Sequence, residues 1–196
     1  SDVITIKTAE EKHSQFLYHG FYKQLLDIFL VRKSIRSKVF IHPYREEILF
    51  PDIDQKLDKL HRREKALYVL LLLMSKDGGI NFNQPTTAKQ MEHFNHRMQQ
   101  LQDKYQIIYS ALGGEKDKAP DLRLPEIRRP IISCLKRSLS RLEEMLYNFN
   151  DYTISKDEYG FLRIGLESDL IYYYSSEHGY IQIYETELFN KIKKVR

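Results

Sequence analysis

The sequence predicts an α+β fold, and three observations predict it. Short β-rich segments pair off around a turn near residues 37–50 and again near 152–164. Between them lie three stretches whose apolar residues recur at spacings of three and four. A further tyrosine-rich pair of segments, 171–184, closes the order strands, helices, strands.

The elements follow in turn. Val3-Ile4-Thr5-Ile6 reads as a short strand, and Glu10 to Val31 as a helix whose Phe16, Leu17, Phe21, Leu25, Ile28 and Phe29 face a core. Ser37 to Ile41 and Glu47 to Phe50 flank His42-Pro43-Tyr44-Arg45 as a hairpin closed by Pro51-Asp52. A helix opens at Leu60 and stops at Lys76-Asp77-Gly78-Gly79, where glycine accepts the positive φ of a helix end. Ile80 to Phe82 is a turn or an extended piece. Thr87 to Leu112 is the next helix, with Met91, Phe94, Met98, Leu101, Tyr105 and Ile108 as its buried stripe.

Glu115 to Asp121 is charged and proline-terminated, which predicts a solvated loop and a place for disorder. A third helix is expected from about Pro130 to about Tyr147, since proline costs little in a first turn. Tyr152 to Ser155 and Phe161 to Ile164 form a hairpin around Lys156-Asp157-Glu158-Tyr159-Gly160, and Ile171 to Tyr174 pairs with Tyr180 to Tyr184. The tail from Asn190 is basic. The expected segments are 1–37, an N-terminal strand and helix; 38–166, the central domain; and 167–196, a hairpin with a basic tail.

Composition narrows the function classes. The 196 residues carry a net charge of +4, compatible with a polyanionic partner but weaker than the field of a dedicated non-specific nucleic-acid binder. One cysteine, Cys134, excludes an intramolecular disulfide and reads as a small buried hydrophobe. The first residues show neither a basic stretch leading into an apolar one nor an Arg-rich amphipathic pattern, so the reading is cytoplasmic. The apolar run Leu67 to Met74 is less than half of the roughly 20 residues that cross a bilayer, so no membrane partner is expected.

The third helix carries the functional argument. Ile131, Leu135, Leu139, Leu142 and Leu146 share one stripe, and Ser133, Lys136, Arg137, Ser140 and Glu144 lie opposite. From Ile127 to Leu142 there are five basic residues and no acidic one: Arg128, Arg129, Lys136, Arg137 and Arg141. Arginine, lysine and serine on an exposed helix face suit phosphates and base edges.

A hairpin, three helices and a last hairpin, with a basic third helix, resembles the winged helix-turn-helix of OmpR-type response regulators. The resemblance rests on Leu60-His61-Arg62-Arg63-Glu64-Lys65-Ala66-Leu67, on Ile131-Ile132-Ser133-Cys134-Leu135-Lys136-Arg137-Ser138-Leu139, and on Tyr152-Thr153-Ile154 with Leu162-Arg163-Ile164 as the wing. It covers about two thirds of the chain and implies a winged-helix-like core, DNA as partner, a role in transcription regulation, and Lys156 and Arg163 as wing contacts. Glu64 to Leu71, followed by glycine and an extended segment, is also similar to uncharacterised proteins of Bacteroidetes-type bacteria, which implies the same domain and no particular activity.

Other chemistries fit less well. His93 and His96 stand three apart with Glu92 beside them, but neither HExxH nor a cysteine pair accompanies them, and a solvated helix face explains them. His61 and Glu64 read as a helix first turn. No phosphate loop, dinucleotide fingerprint or nucleophile elbow occurs, so no enzyme and no cofactor is expected. Tyr172-Tyr173-Tyr174 with Tyr180 and Tyr184 suggests base stacking, but strand alternation turns about half of them inward, which favours core and a homodimer contact. The expected function is DNA binding. The alternative is a protein-interaction or scaffold module of winged-helix geometry without nucleic acid.

Overall fold

The run Ala66-Leu67-Tyr68-Val69-Leu70-Leu71-Leu72-Leu73 leaves no polar face, so a helix built from it must be covered on every side. The computed structural model describes residues 18–28, 30 and 36–196. The chain divides into two units, Ser1–Ile35 and Arg36–Arg196. In the first, residues 18–28 form helix α1, on which Phe21, Leu25 and Ile28, expected to face a core, are exposed. The strand expected at Val3 to Ile6 lies outside the described residues.

The second unit runs β1 (Val39–His42), β2 (Glu47–Phe50), β3 (Gln55–Lys56), α2 (Arg62–Ser75), β4 (Ile80–Asn81), α3 (Ala88–Ala111), α4 (Pro125–Ser140), β5 (Ser155–Lys156), β6 (Phe161–Arg163), β7 (Ile171–Ser175), β8 (Gly179–Gln182) and α5 (Glu187–Lys193). Two sheets result, β3-β2-β1-β7-β8 and β4-β6-β5. The fold is α+β. Its central segment runs α2-β4-α3-α4-β5-β6, with β6 between β4 and β5 in the smaller sheet.

Every residue of α2 from Ala66 to Leu73 is buried. Above it lies the inward face of the larger sheet, Val39, Ile41, Ile48, Phe50 and Ile171, all at most 1% exposed. Alternation places these residues on one side and Phe40, His42, Leu49, Tyr172 and Tyr174 on the other. The two ends of that sheet's sequence meet because β1 pairs with β7 in parallel, Phe40 opposite Tyr172. Residues 167–196, expected as a separate segment, lie in the same unit, and their strands β7 and β8 share a sheet with β1 to β3.

Two buried phenols fasten α2. The Tyr68 hydroxyl donates to the Tyr152 carbonyl at 2.9 Å, and the Tyr152 hydroxyl donates to the Ser37 carbonyl at 2.7 Å. Both rings are fully buried, so each hydroxyl needs its partner. At the N-terminus of α2 the Glu64 carboxylate, itself buried, accepts the His61 N–H at 3.0 Å and the Arg63 Nε–H at 2.7 Å. At the other end Gly79 has a φ of 95°, and a Cβ there would fall 2.3 Å from the Leu162 carbonyl oxygen. Glycine thus lets the chain turn from α2 into β4 directly against β6.

Burial pushes the Tyr152 phenol up to about 12 and raises the Tyr68 phenol as well. Both hold their protons more tightly when folded, so this stabilisation is complete below the ordinary value of 10 and is lost as pH rises toward 12. Urea midpoints are expected to fall across that alkaline window. Tyr152→Phe should lower stability at neutral pH by about 1–3 kcal/mol, by orphaning the Ser37 carbonyl, and flatten part of the alkaline fall.

Candidate nucleic-acid interface

Helix α4 starts at Pro125, not near Pro130, because Pro125 takes the first helical position behind Leu124. Pro130 falls inside the helix on its exposed side, where the carbonyl of exposed Glu126, which proline leaves unbonded, is open to solvent. The helix ends at Ser140, whose hydroxyl bonds the Arg137 carbonyl at 2.7 Å, and turns carry the chain from 141 to 147. Ile131, Leu135 and Leu139 on the helix and Leu142 and Leu146 beyond it are nonetheless all buried, as the stripe predicts. Ser133, Lys136, Arg137, Ser140 and Glu144 are exposed. Cys134 is half-buried rather than enclosed.

The long connection from α3 to α4 is tied down, contrary to the loose loop expected. The buried Gln102 amide bridges it, accepting the Leu122 N–H at 2.8 Å and donating to the Pro120 carbonyl at 2.9 Å. Leu122 is fully buried beneath it. From the other side Arg128 donates to the carbonyls of Leu122 and Arg123 at 3.3 and 3.1 Å, and its guanidinium lies 4.5 Å from the Phe82 ring centre. Only 8% of Arg128 is exposed, and burial, with the Arg129 charge beside it, lowers its pKa. Arg128, expected as a DNA contact, is an anchor that sets where α4 begins.

The β5–β6 hairpin, expected as a wing, is organised around one carboxylate. Asp157 Oδ1 accepts the backbone N–H of Tyr159 at 3.0 Å and of Phe161 at 2.8 Å, and Oδ2 accepts from Arg163 at 2.5 Å. Asp157 is thereby bound into the turn instead of standing free to repel phosphate, and Arg163, expected as a wing contact, is spent on it. Asn81 braces the same turn by donating to the Tyr159 carbonyl at 3.1 Å. Tyr159 is left 72% exposed at the tip. The sequence shows the turn through Asp157 and Gly160 but not that Asn81, far away in the chain, supports it.

Five of the seven expected contacts remain open. Arg129, Lys136, Arg137, Arg141 and Lys156 are exposed, and none has a carboxylate within 4.0 Å among the described residues. Arg129, Ser133, Lys136 and Ser140 line up along α4 over about 16 Å, with Arg137 and Arg141 beside them. Between the start of α4 and the wing lies a cleft of about 350 Å³ whose walls include Arg129, Lys156, Asn83 and Gln84. The two cations stand on opposite elements, so an anionic strand entering the cleft meets positive charge from both.

The other candidates are dispersed. Glu92, His93 and His96 are exposed on α3, and among the described residues no group of three His, Cys, Asp or Glu is placed to hold a metal ion. Glu64 is bound into the α2 first turn, accepting from the His61 N–H and from Arg63. No helix among the described residues is long and apolar enough to cross a membrane. No family model, curated protein or solved structure matches the chain.

If Arg128 is an anchor and Arg129 is not, alanine separates them. Arg128→Ala is expected to cost about 1–3 kcal/mol, by leaving two inward carbonyls without a donor, and Arg129→Ala less than about 0.5 kcal/mol in the same urea titration.

Proposed function

We propose that the chain binds double-stranded DNA, as a winged-helix protein related to the OmpR-type kind, with α4 in the major groove and the β5–β6 wing beside it. The observation that carries the reading is the exposed face of α4, on which Arg129, Lys136, Arg137 and Arg141 have no carboxylate partner among the described residues. Those residues place donors on phosphates and, through arginine, on guanine edges. Lys156 and Arg129 flank the cleft in which one backbone strand lies. Tyr159 at the wing tip adds an exposed aromatic contact. Binding, not catalysis, is the proposed activity, and a role in transcription regulation inside the cell follows from it.

The rival reading, a protein-interaction module of the same geometry, requires the α4 face to be covered or neutralised by acidic neighbours. Glu126, Glu143 and Glu144 stand only at its ends, which supports DNA over that reading.

Fluorescence anisotropy with random-sequence duplex DNA tests the proposal. Affinity is expected to fall steeply with salt, and Lys136→Glu and Arg137→Glu are each expected to weaken binding about tenfold or more and to reduce the salt slope by about 1. Absence of binding at micromolar protein and low salt, or binding untouched by both reversals, contradicts it.

A further inference from the structure

The larger sheet ends in two edges of opposite character. Strand β3 has only two residues, Gln55 and Lys56, with Asp54, Asp58 and Lys59 around them. Short length and charge are how sheets block an edge against further pairing. Strand β8, Gly179-Tyr180-Ile181-Gln182, has no charge and no proline. Its backbone pairs with β7 from Tyr172 opposite Gln182 to Ser175 opposite Gly179, and among the described residues none of these four bonds backbone to backbone beyond that pairing. All four residues are half-buried.

The outer face holds this edge stiffly. Tyr180 stacks on Phe40 at 4.1 Å between ring centroids, His42 stacks on Tyr174 at 4.3 Å, and Tyr174 meets Tyr180 edge-on at 5.3 Å. These rings spend their faces on one another, so they brace β8 to β1 across β7 and leave little ring face for a nucleic-acid base. That distinguishes the surface from a base-stacking platform.

We propose that β8 is a dimerisation edge, and that its occupant is β8 of a second copy of this chain, antiparallel across a two-fold axis. The asymmetry of the edges selects this occupant. Pairing β8 with β3 of another copy would be head-to-tail and open-ended, and β3 is blocked, whereas β8 on β8 uses one edge twice and closes at two chains. The pleat then fixes the register. Opposed residues share a face, so the axis passes beside a residue, and an axis at Ile181 places Ile181 opposite Ile181 of the second copy and Tyr180 opposite its Gln182. Tyrosine meets amide on the outer face, and isoleucine covers isoleucine on the inner. A four-residue strand pair is a small interface, so the dimer is expected to be weak and to dissociate on dilution. The inference stands on the sheet edge and is independent of DNA binding.

The test is sedimentation equilibrium of the full chain over a micromolar concentration series, with Gln182→Lys as the edge-blocking variant, Lys136→Glu as a control, and circular dichroism to confirm folding. The native chain and Lys136→Glu are expected to reach dimer mass, and Gln182→Lys to dissociate about tenfold more readily with an unchanged spectrum. Amide exchange at 179–182 should slow as native protein concentration rises, which decides the matter should Gln182→Lys fail to fold. A native chain that stays monomeric, a dimer that Gln182→Lys leaves intact, or β8 amides indifferent to concentration overturns the proposal. A monomer that nonetheless captures an added extended peptide overturns it also, in favour of a peptide partner.

Discussion

The constraint on which the rest depends is the burial of α2 on every side. A helix apolar all round has no solvated face to fix its rotation, so polar groups at defined points must do so. Here they are the Tyr68 hydroxyl, held by the Tyr152 carbonyl, and the Tyr152 hydroxyl, held by the Ser37 carbonyl. This two-step relay joins the middle of α2 to the segment before the wing and to the entry of β1. Tyr105 on α3 adds a third point by donating to the Arg63 carbonyl at 2.8 Å. Once the rotation of α2 is set, both sheets and the two longer helices have one surface to pack on.

The basic face of α4 follows from that packing. Leu135 and Leu139 are drawn to the core, and Ser138 donates to the Asp58 carbonyl at 3.2 Å, so the residues opposite must meet solvent. Gln102 and Arg128 settle the approach to the helix, and Asp157 with Asn81 settles the wing. Two of the chain's cations, Arg128 and Arg163, are consumed in building this frame. On α4 and the β5–β6 hairpin, Arg129, Lys136, Arg137, Arg141 and Lys156 have no carboxylate partner among the described residues. A net charge of only +4 is consistent with a local positive surface, because between Ile127 and Leu142 the chain carries five basic residues and no acidic one, while Glu158 stands exposed beside Lys156 on the hairpin.

Periodicity made much of this visible beforehand. The helix expected from Thr87 to Leu112 is Ala88–Ala111, with Thr87 accepting the Gln90 N–H, and the stripe from Ile131 to Leu146 is buried residue for residue. What stayed hidden is what sequence separation hides. That β1 lies beside β7 in parallel depends on chain segments more than a hundred residues apart. Arg128 and Arg129 are adjacent and chemically equal in the sequence, and only the turn of the helix decides that one faces carbonyls and the other water. Two prolines both suit a first turn, so the sequence does not decide between Pro125 and Pro130, and Leu122 and Leu124 ahead of Pro125 show no helical period that would decide it. Arg163 looked free because its partner Asp157 lies across a hairpin turn, where the sequence shows only mixed charge.

The proposed DNA face joins α4 to the β5–β6 hairpin. Amide hydrogen exchange of the chain, alone and with a short duplex, tests this most directly because it reports every segment at once. Added protection is expected at 129–141 and 155–163 alone, with the β1–β2 hairpin and α5 unchanged. Protection located on the larger sheet or on α3, or none in the presence of saturating duplex, would contradict it.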